Sequence, residues 1–268
     1  MQGYSRKGNL VFALMKAAVA IPAFNCAAQI GRVLTELDSV LTAYPQIEAV
    51  FLIENRSTDQ TLKSAIQSTE TLINRKRFEI YQNPENFGLG GTHKVALSLC
   101  KARSFTHLII LHGDHQATAL DIPSLLQGMK QNPQSHVLGS RFTDLKRLSG
   151  YSLLRTFGNL SLNFFYSAAT GKRISDLGSG LNIFNVESLD ERIYQQFDNS
   201  FTFNMDLLLY LVRAKIPFCY VPISWSTSDQ VSNAKTFSVG MKTVKKLFSW
   251  ILRTENKNPP HHETVRVI

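Results

Sequence analysis

A β-rich run, His107–Leu111, ends in His112-Gly113-Asp114-His115-Gln116, a short segment dense in groups that bind cations or move protons. Residues two apart on an extended chain point to the same side, so His112, Asp114 and Gln116 can face one divalent ion together. An ion held there would bridge paired phosphates and stabilise the charge developing on a leaving diphosphate. The same residues also describe a polar surface turn.

Elements that would position such a site recur along the first half. β-rich runs at Ala17–Ile21, Ala49–Ile53, Phe78–Tyr81 and His107–Leu111 alternate with amphipathic stretches at Ala27–Leu41, Asp59–Leu72 and Thr92–Ala102. This alternation predicts an α/β fold with a mostly parallel sheet flanked by helices. Ligands of open sheets bind beyond the carboxyl ends of the strands. Those ends carry Pro22-Ala23-Phe24-Asn25, Glu54-Asn55-Arg56-Ser57-Thr58-Asp59, and Asn83 to Gly91 with Asn86 and Gly88 at its turn. Polar loops along one edge predict a crevice for a polar ligand. Gly88 would let the backbone approach that ligand, or would serve only as a helix entry. Lys94 would reach a phosphate from the following first turn, the alternative being a solvated lysine.

Beyond Gly139-Ser140-Arg141-Phe142 the rhythm changes. Tyr151–Ala168 places Leu153, Phe157, Leu160 and Phe164 on one helical face, and Val239–Leu252 interleaves Lys242, Lys245 and Lys246 with apolar residues. These C-terminal amphipathic helices suit an anionic membrane surface, core packing or a homo-oligomer interface. A helix near Asn204–Arg213 and a strand at Phe218–Pro222 are expected between them. Asp176, between Lys172-Arg173 and Gly178-Ser179-Gly180, is placed to take a proton from an acceptor hydroxyl, or to serve as a cap or turn residue. Trp225 and the polar stretch Ser228 to Lys235, with Gln230, Ser232 and Lys235, suggest a lid ending in a phosphate-capable lysine. The tail 255–268 lacks apolar periodicity and is expected to be mobile.

With 268 residues, 44% of them apolar, the chain can bury one large core. A formal charge of +9 calls for an anionic partner, but no recognition motif for nucleic acid accompanies it. Cys26, Cys100 and Cys219 are isolated and odd in number, which argues against a disulfide framework or a metal knuckle and suits a reducing cytoplasm. The segment ending in Ala18-Val19-Ala20 imitates a signal peptide, yet Lys16 interrupts it and cleavage would cut the first strand. No stretch supplies the approximately 20 apolar residues of a membrane span.

Pro22-Ala23-Phe24-Asn25, Ser57-Thr58-Asp59, Asn86-Phe87-Gly88-Leu89-Gly90-Gly91, the Asp114/Gln116 loop, Gly139-Ser140-Arg141-Phe142 and Ser175-Asp176-Leu177-Gly178-Ser179-Gly180 occur in the order and spacing of family 2 glycosyltransferases. From about Ala18 to Lys246 the chain most resembles the dolichyl-phosphate mannosyltransferase and polyprenyl-phosphate glycosyltransferase branch. The resemblance implies a single GT-A domain over 1–254, with a nucleotide-sugar half near 17–142 and an acceptor half near 143–254. It further implies inverting transfer from a nucleoside-diphosphate sugar with Mn²⁺ or Mg²⁺. By position, Pro22, Phe24, Asn25, Glu54, Arg56, Asn86, Gly88 and Lys94 fall to the nucleotide sugar, and His112, Asp114 and Gln116 to the metal and diphosphate. Arg141 with the Gln230–Lys235 loop falls to anionic groups, and Asp176 to the acceptor as catalytic base. The expected acceptor is a glycan hydroxyl in surface polysaccharide assembly, the alternatives being a polyprenyl phosphate at the inner membrane face or a non-catalytic scaffold. Three departures stand out: Cys26 replaces an acidic residue, Glu54-Asn55-Arg56 replaces Asp-Asp-Gly, and His112 replaces the first Asp of Asp-x-Asp. Imidazole accepts Mn²⁺ more readily than Mg²⁺.

Overall fold

The computed structural model describes residues 15–227, 236–254 and 265–267, without the side chains of 236–238 and 265. Strand β1 (Ala17–Ala23) is buried along its whole length, as a central strand covered on both faces must be. Its side chains alternate: Val19 and Ile21 join one core cluster with Ile30, Leu34 and Leu37 of helix α1 (Ile30–Ala43). Ala18 and Ala20 face the other cluster, where small residues let Val95 and Leu97 of helix α3 (Gly88–Ala102) pack closely.

Around β1 the chain adds β2 (Ile47–Glu54), α2 (Thr61–Glu70), β3 (Phe78–Gln82), β4 (His107–Leu111), α4 (Ile122–Gln131) and β5 (His136–Ser140). Then follow β6 (Leu148–Ser149), α5 (Leu153–Thr170), β7 (Leu181–Asn185), α6 (Glu191–Tyr194), α7 (Phe203–Arg213), β8 (Phe218–Pro222), β9 (Trp225–Ser226), α8 (Thr236–Leu252) and β10 (Val265–Arg266). The main sheet has the order β10-β3-β2-β1-β4-β7-β5-β8. β1 pairs in parallel with both β2 and β4, so their connections leave in opposite directions and open a crevice at their carboxyl ends. β7 enters antiparallel between β4 and β5, an insertion that the alternating pattern does not announce. β6 and β9 form a small second sheet, and Trp225 also bridges to Ala117. Within the tail, β10 pairs antiparallel with the edge strand β3. Arg266 there lies 3.3 Å from Glu79.

His107 on β4 and His136 on β5 are buried polar groups within this sheet. His136 is held by the Asn185 N–H and the Ser188 hydroxyl, and His107 by the Thr106 hydroxyl. Burial moves each ring from its ordinary 6.5 down to about 4. The unfolded chain therefore takes up protons first as pH falls. The contribution to stability is complete above about pH 6.5 and is lost towards pH 4, at up to about 1.4 kcal/mol per pH unit per ring. Urea unfolding at stepped pH should show this decline, and His136→Gln should flatten it; an unchanged slope in that variant would remove His136 as its source.

Candidate active site

The carboxyl ends of β1, β2 and β3 are tied by their own polar groups. Buried Glu54 accepts from the Ser57 and Arg56 backbone N–H groups and from Gln82 Nε2. Asn25, in the left-handed region at φ 49°, accepts from the Thr58 N–H at 2.8 Å. Asn55 donates to Asn86 and accepts from Asn83 and the Phe87 N–H, and Asn86 accepts from Gly88. Arg56 lies outside, bound to Pro84 O and Gln82. Pro22 is inside β1, its carbonyl accepting from the Gly113 N–H, while Phe24 stands half-buried just past the strand end.

A cleft of about 360 Å³ opens beside β4, lined by His112, Asp114, Gln116, Arg141, Arg155 and Trp225 among others. The sequence places the first four of these at strand ends, and the fold brings them onto one wall. Pro22, Phe24, Asn25, Glu54 and Arg56, expected on the nucleotide-sugar side, are not part of its lining. Segment 112–116 is a turn rather than a continuing strand. His115 adopts φ 56° and turns towards α1, where Glu36 receives its Nε2 at 2.8 Å. Glu36 also accepts from Thr118 Oγ1 and the Ala119 N–H, pinning the turn so that Asp114 and Gln116 both reach the cleft.

His112, expected as a metal ligand, lines the cleft with Asp114 and Gln116 and also meets a second histidine. Its Nε2 lies 3.3 Å from Nε2 of buried His93, and its ring packs on Gly180, where a Cβ would come within 2.9 Å of Nδ1. Burial holds both rings below their ordinary value, so the pair is neutral at pH 7. Among the described residues no three His, Cys, Asp or Glu side chains cluster around a cation position. Asp114 and Gln116 still supply one charged and one neutral oxygen, a hard donor set that fits Mg²⁺ or Mn²⁺ completed by phosphate oxygens and water. Beneath them, burial and the charge of Asp114 push the Cys26 thiol up to about 12, so it stays protonated.

Asp176 is the first correction. Its Oδ2 accepts from the Arg141 N–H and Nε at 2.9 and 2.8 Å, and its Oδ1 from Arg141 Nη2 and the Gly178 N–H at 2.7 and 3.1 Å. With no exposed side-chain surface, it is not presented to an acceptor. Lys94 is the second: it is buried, and its Nζ donates to Gln195 O, Phe197 O and Asn199 Oδ1, away from the cleft. Burial lowers its pKa to about 8. The close approach at Gly88 is made by protein rather than ligand, since a Cβ would meet Asn199 O at 2.3 Å. Gln230, Ser232 and Lys235 lie outside the described residues.

Two cleft residues were not anticipated as ligand contacts. Arg155 Nε and Trp225 Nε1 are buried and have no hydrogen-bond partner among the described residues. Both can only donate. Arg155 has a sequence signal, being the sole charge between Leu148 and Gly171. Trp225 has none beyond its type.

A mostly parallel α/β sheet flanked by helices, with a polar turn at the end of β4, is the GT-A type of fold. The chain belongs to glycosyl transferase family 2, whose model matches residues 18–193, and it is a glycosyltransferase. It is 21% identical over 179 residues to dodecaprenyl-phosphate galacturonate synthase of Rhizobium johnstonii, covering 66% of this chain and 50% of that one. It is 23% identical over 167 residues to UDP-N-acetylglucosamine–dolichyl-phosphate N-acetylglucosaminyltransferase of Methanococcus voltae, covering 62% of this chain and 66% of that one. The chain thus spans half the length of the first of these relatives and about two thirds of the second. Glucosyl-3-phosphoglycerate synthase of Mycobacterium tuberculosis, solved with Mn²⁺, UDP-glucose and phosphoglyceric acid, shares the fold at TM-score 0.68 and 15% identity, covering 97% of this chain and 92% of that one.

Removing Asp176 would strand the Arg141 guanidinium in the interior. Asp176→Ala should therefore cost about 3–5 kcal/mol, read from the urea midpoint. A variant as stable as the parent would return Asp176 to consideration as a free carboxylate.

Proposed function

We propose that the chain transfers a sugar, with inversion, from a nucleoside-diphosphate sugar to an anionic acceptor of the polyprenyl-phosphate class. The observation that carries this is the pair of donors Arg155 Nε and Trp225 Nε1, which have no partner among the described residues and lie in a cleft beside Arg141, whose own partner Asp176 is fully engaged. A hydroxyl acceptor needs a base, whereas a phosphate is already an anion near neutral pH and needs donors. The polyprenyl-phosphate enzymes among the relatives support the same choice.

The donor diphosphate would lie by Asp114 and Gln116, with the nucleoside towards Phe24, Asn25 and Glu54. A divalent ion on Asp114 and Gln116 would neutralise the diphosphate when bound. Arg155 and Trp225 would hold the acceptor phosphate and aim one oxygen at the anomeric carbon. The new carbon–oxygen bond forms as the bond to the diphosphate breaks, and the nucleoside diphosphate leaves with its electron pair.

A thermal-shift screen of UDP-, GDP-, dTDP- and CDP-sugars with and without Mn²⁺ should identify one donor class, and Asp114→Asn should abolish its metal-dependent component. Transfer of labelled sugar to a short-chain polyprenyl phosphate should then exceed transfer to the matching polyprenol. Arg155→Met should lower kcat/KM for the phosphate acceptor about tenfold to a hundredfold while leaving the donor's thermal shift intact. Equal transfer to phosphate and alcohol would overturn the acceptor assignment.

A further inference from the structure

Helices α5 and α8 lie side by side, joined by a 2.8 Å hydrogen bond from the Tyr166 hydroxyl to Thr243 O. Their outer faces are apolar to a degree that water alone does not explain. On α5, Leu153 is 89% exposed, Phe157 71% and Phe164 68%. On α8, Phe248 is 59% exposed and Leu252 67%, with Met241 and Ile251 also exposed. No described helix is long and apolar enough to cross a membrane.

The two helices and their flanks carry charge of a single sign, although Lys246 is paired with Asp206 of α7 and Arg147 with Asp121 and Asp144. From Leu145 to Ser175 the chain has no carboxylate, but it carries Lys146, Arg147, Arg155, Lys172 and Arg173. From Gln230 to Thr254 it again has none, and on α8 and just beyond it carries Lys242, Lys245, Lys246 and Arg253. Lys172, Arg173, Lys242 and Lys245 are exposed. A second copy of the chain would bring this cationic surface against itself, whereas an anionic bilayer supplies both an apolar interior and opposite charge. The cleft is continuous with the face, because Leu154 and Leu162 of α5 and Val239 and Gly240 of α8 line it.

We infer that α5 and α8 together form a docking surface for an anionic lipid bilayer, with the aromatic residues entering the headgroup boundary and the lysines contacting lipid phosphates. This surface belongs to the chain without substrate and stands whichever acceptor the cleft takes. The test is sedimentation with vesicles of phosphatidylcholine containing phosphatidylglycerol, against vesicles of phosphatidylcholine alone, with analytical ultracentrifugation of the free protein in parallel. The protein should pellet with the anionic vesicles and release in high salt. Lys242→Gln with Lys245→Gln should weaken partitioning by roughly fivefold per lysine. Phe157→Ser with Phe164→Ser and Phe248→Ser should abolish it while preserving the circular dichroism spectrum and donor thermal shift. Protein that stays in the supernatant, or a triple serine variant that pellets like the parent, would overturn the proposal. So would a stable dimer that the triple substitution dissociates, because the face would then be a subunit interface. Failure here with continued transfer to a short-chain soluble phosphate would leave the acceptor assignment standing.

Discussion

The cleft is organised around a single buried ion pair. Arg141 leaves the end of β5 and Asp176 lies in the loop before β7, so their fork-to-fork contact joins segments 35 residues apart. Taking both charges out of water is costly, and only saturated geometry offsets that cost. Here it is saturated: both carboxylate oxygens are engaged, Gly178 O accepts from the guanidinium, and the Tyr220 hydroxyl donates to Asp176 O. The rings of Phe142 and Trp225 lie 5.0 and 4.9 Å from the guanidinium carbon, replacing water with polarisable surface. Trp225 is thereby fixed as a wall of the cleft, and Arg141 is too committed to Asp176 to serve as a freely reorienting anion ligand.

A second polar frame connects the helical face to the donor side. Lys246 of α8 reaches Asp206 at 2.6 Å, and Asp206 accepts from the Asp198 N–H. The adjoining Asn199 accepts from Lys94 through its side chain and from the Gly90 N–H through its carbonyl. Lys94 is thus one tie in a chain of contacts running from α8 to the glycine turn beside Asn86. Gly90 serves the same frame, since a Cβ there would strike Asp198 O at 2.2 Å. Burial that would otherwise disfavour the Lys94 ammonium is met by two carbonyls, an amide oxygen and the nearby charges of Asp198 and Asp206.

Periodicity made the first half legible because β1 to β4 and their helices obey local rules: buried strands read as apolar runs, and covering helices repeat every three to four residues. The strand-end loops could therefore be placed on one edge before any contact was known. β7 was not legible, since its antiparallel entry between β4 and β5 is a pairing of distant segments. Asp176 and Lys94 misled for a related reason. A charged residue beside glycines reads as available, and only tertiary contacts reveal that Arg141 or a ring of carbonyls has taken it. The apolar stripe of α5 was visible in sequence, but its outward orientation was not, because periodicity defines a face without saying what covers it.

At two positions where the resemblance to the family implies an acidic residue the chain has Cys26 and His112, and both are uncharged at neutral pH for physical reasons found in the fold. Cys26 is buried beneath Asp114, whose charge further disfavours a thiolate. His112 is buried against a second neutral imidazole. A site that brings a diphosphate and an acceptor phosphate together must tolerate anion against anion, worth about 4 kcal/mol per pair of unit charges at 4 Å and an effective dielectric near 20. Each fixed carboxylate at the wall adds to that repulsion unless a cation answers it. Asp176 has its own cation, and Glu54 turns its oxygens onto backbone N–H groups. Among the described residues, Asp114 is the carboxylate that lines the cleft, which also holds Arg155, whose Nε has no partner among them. On the proposed reading, the uncharged residues at 26 and 112 and the closed ion pair at 141 and 176 act in the same direction, limiting the negative charge that two anionic substrates would meet.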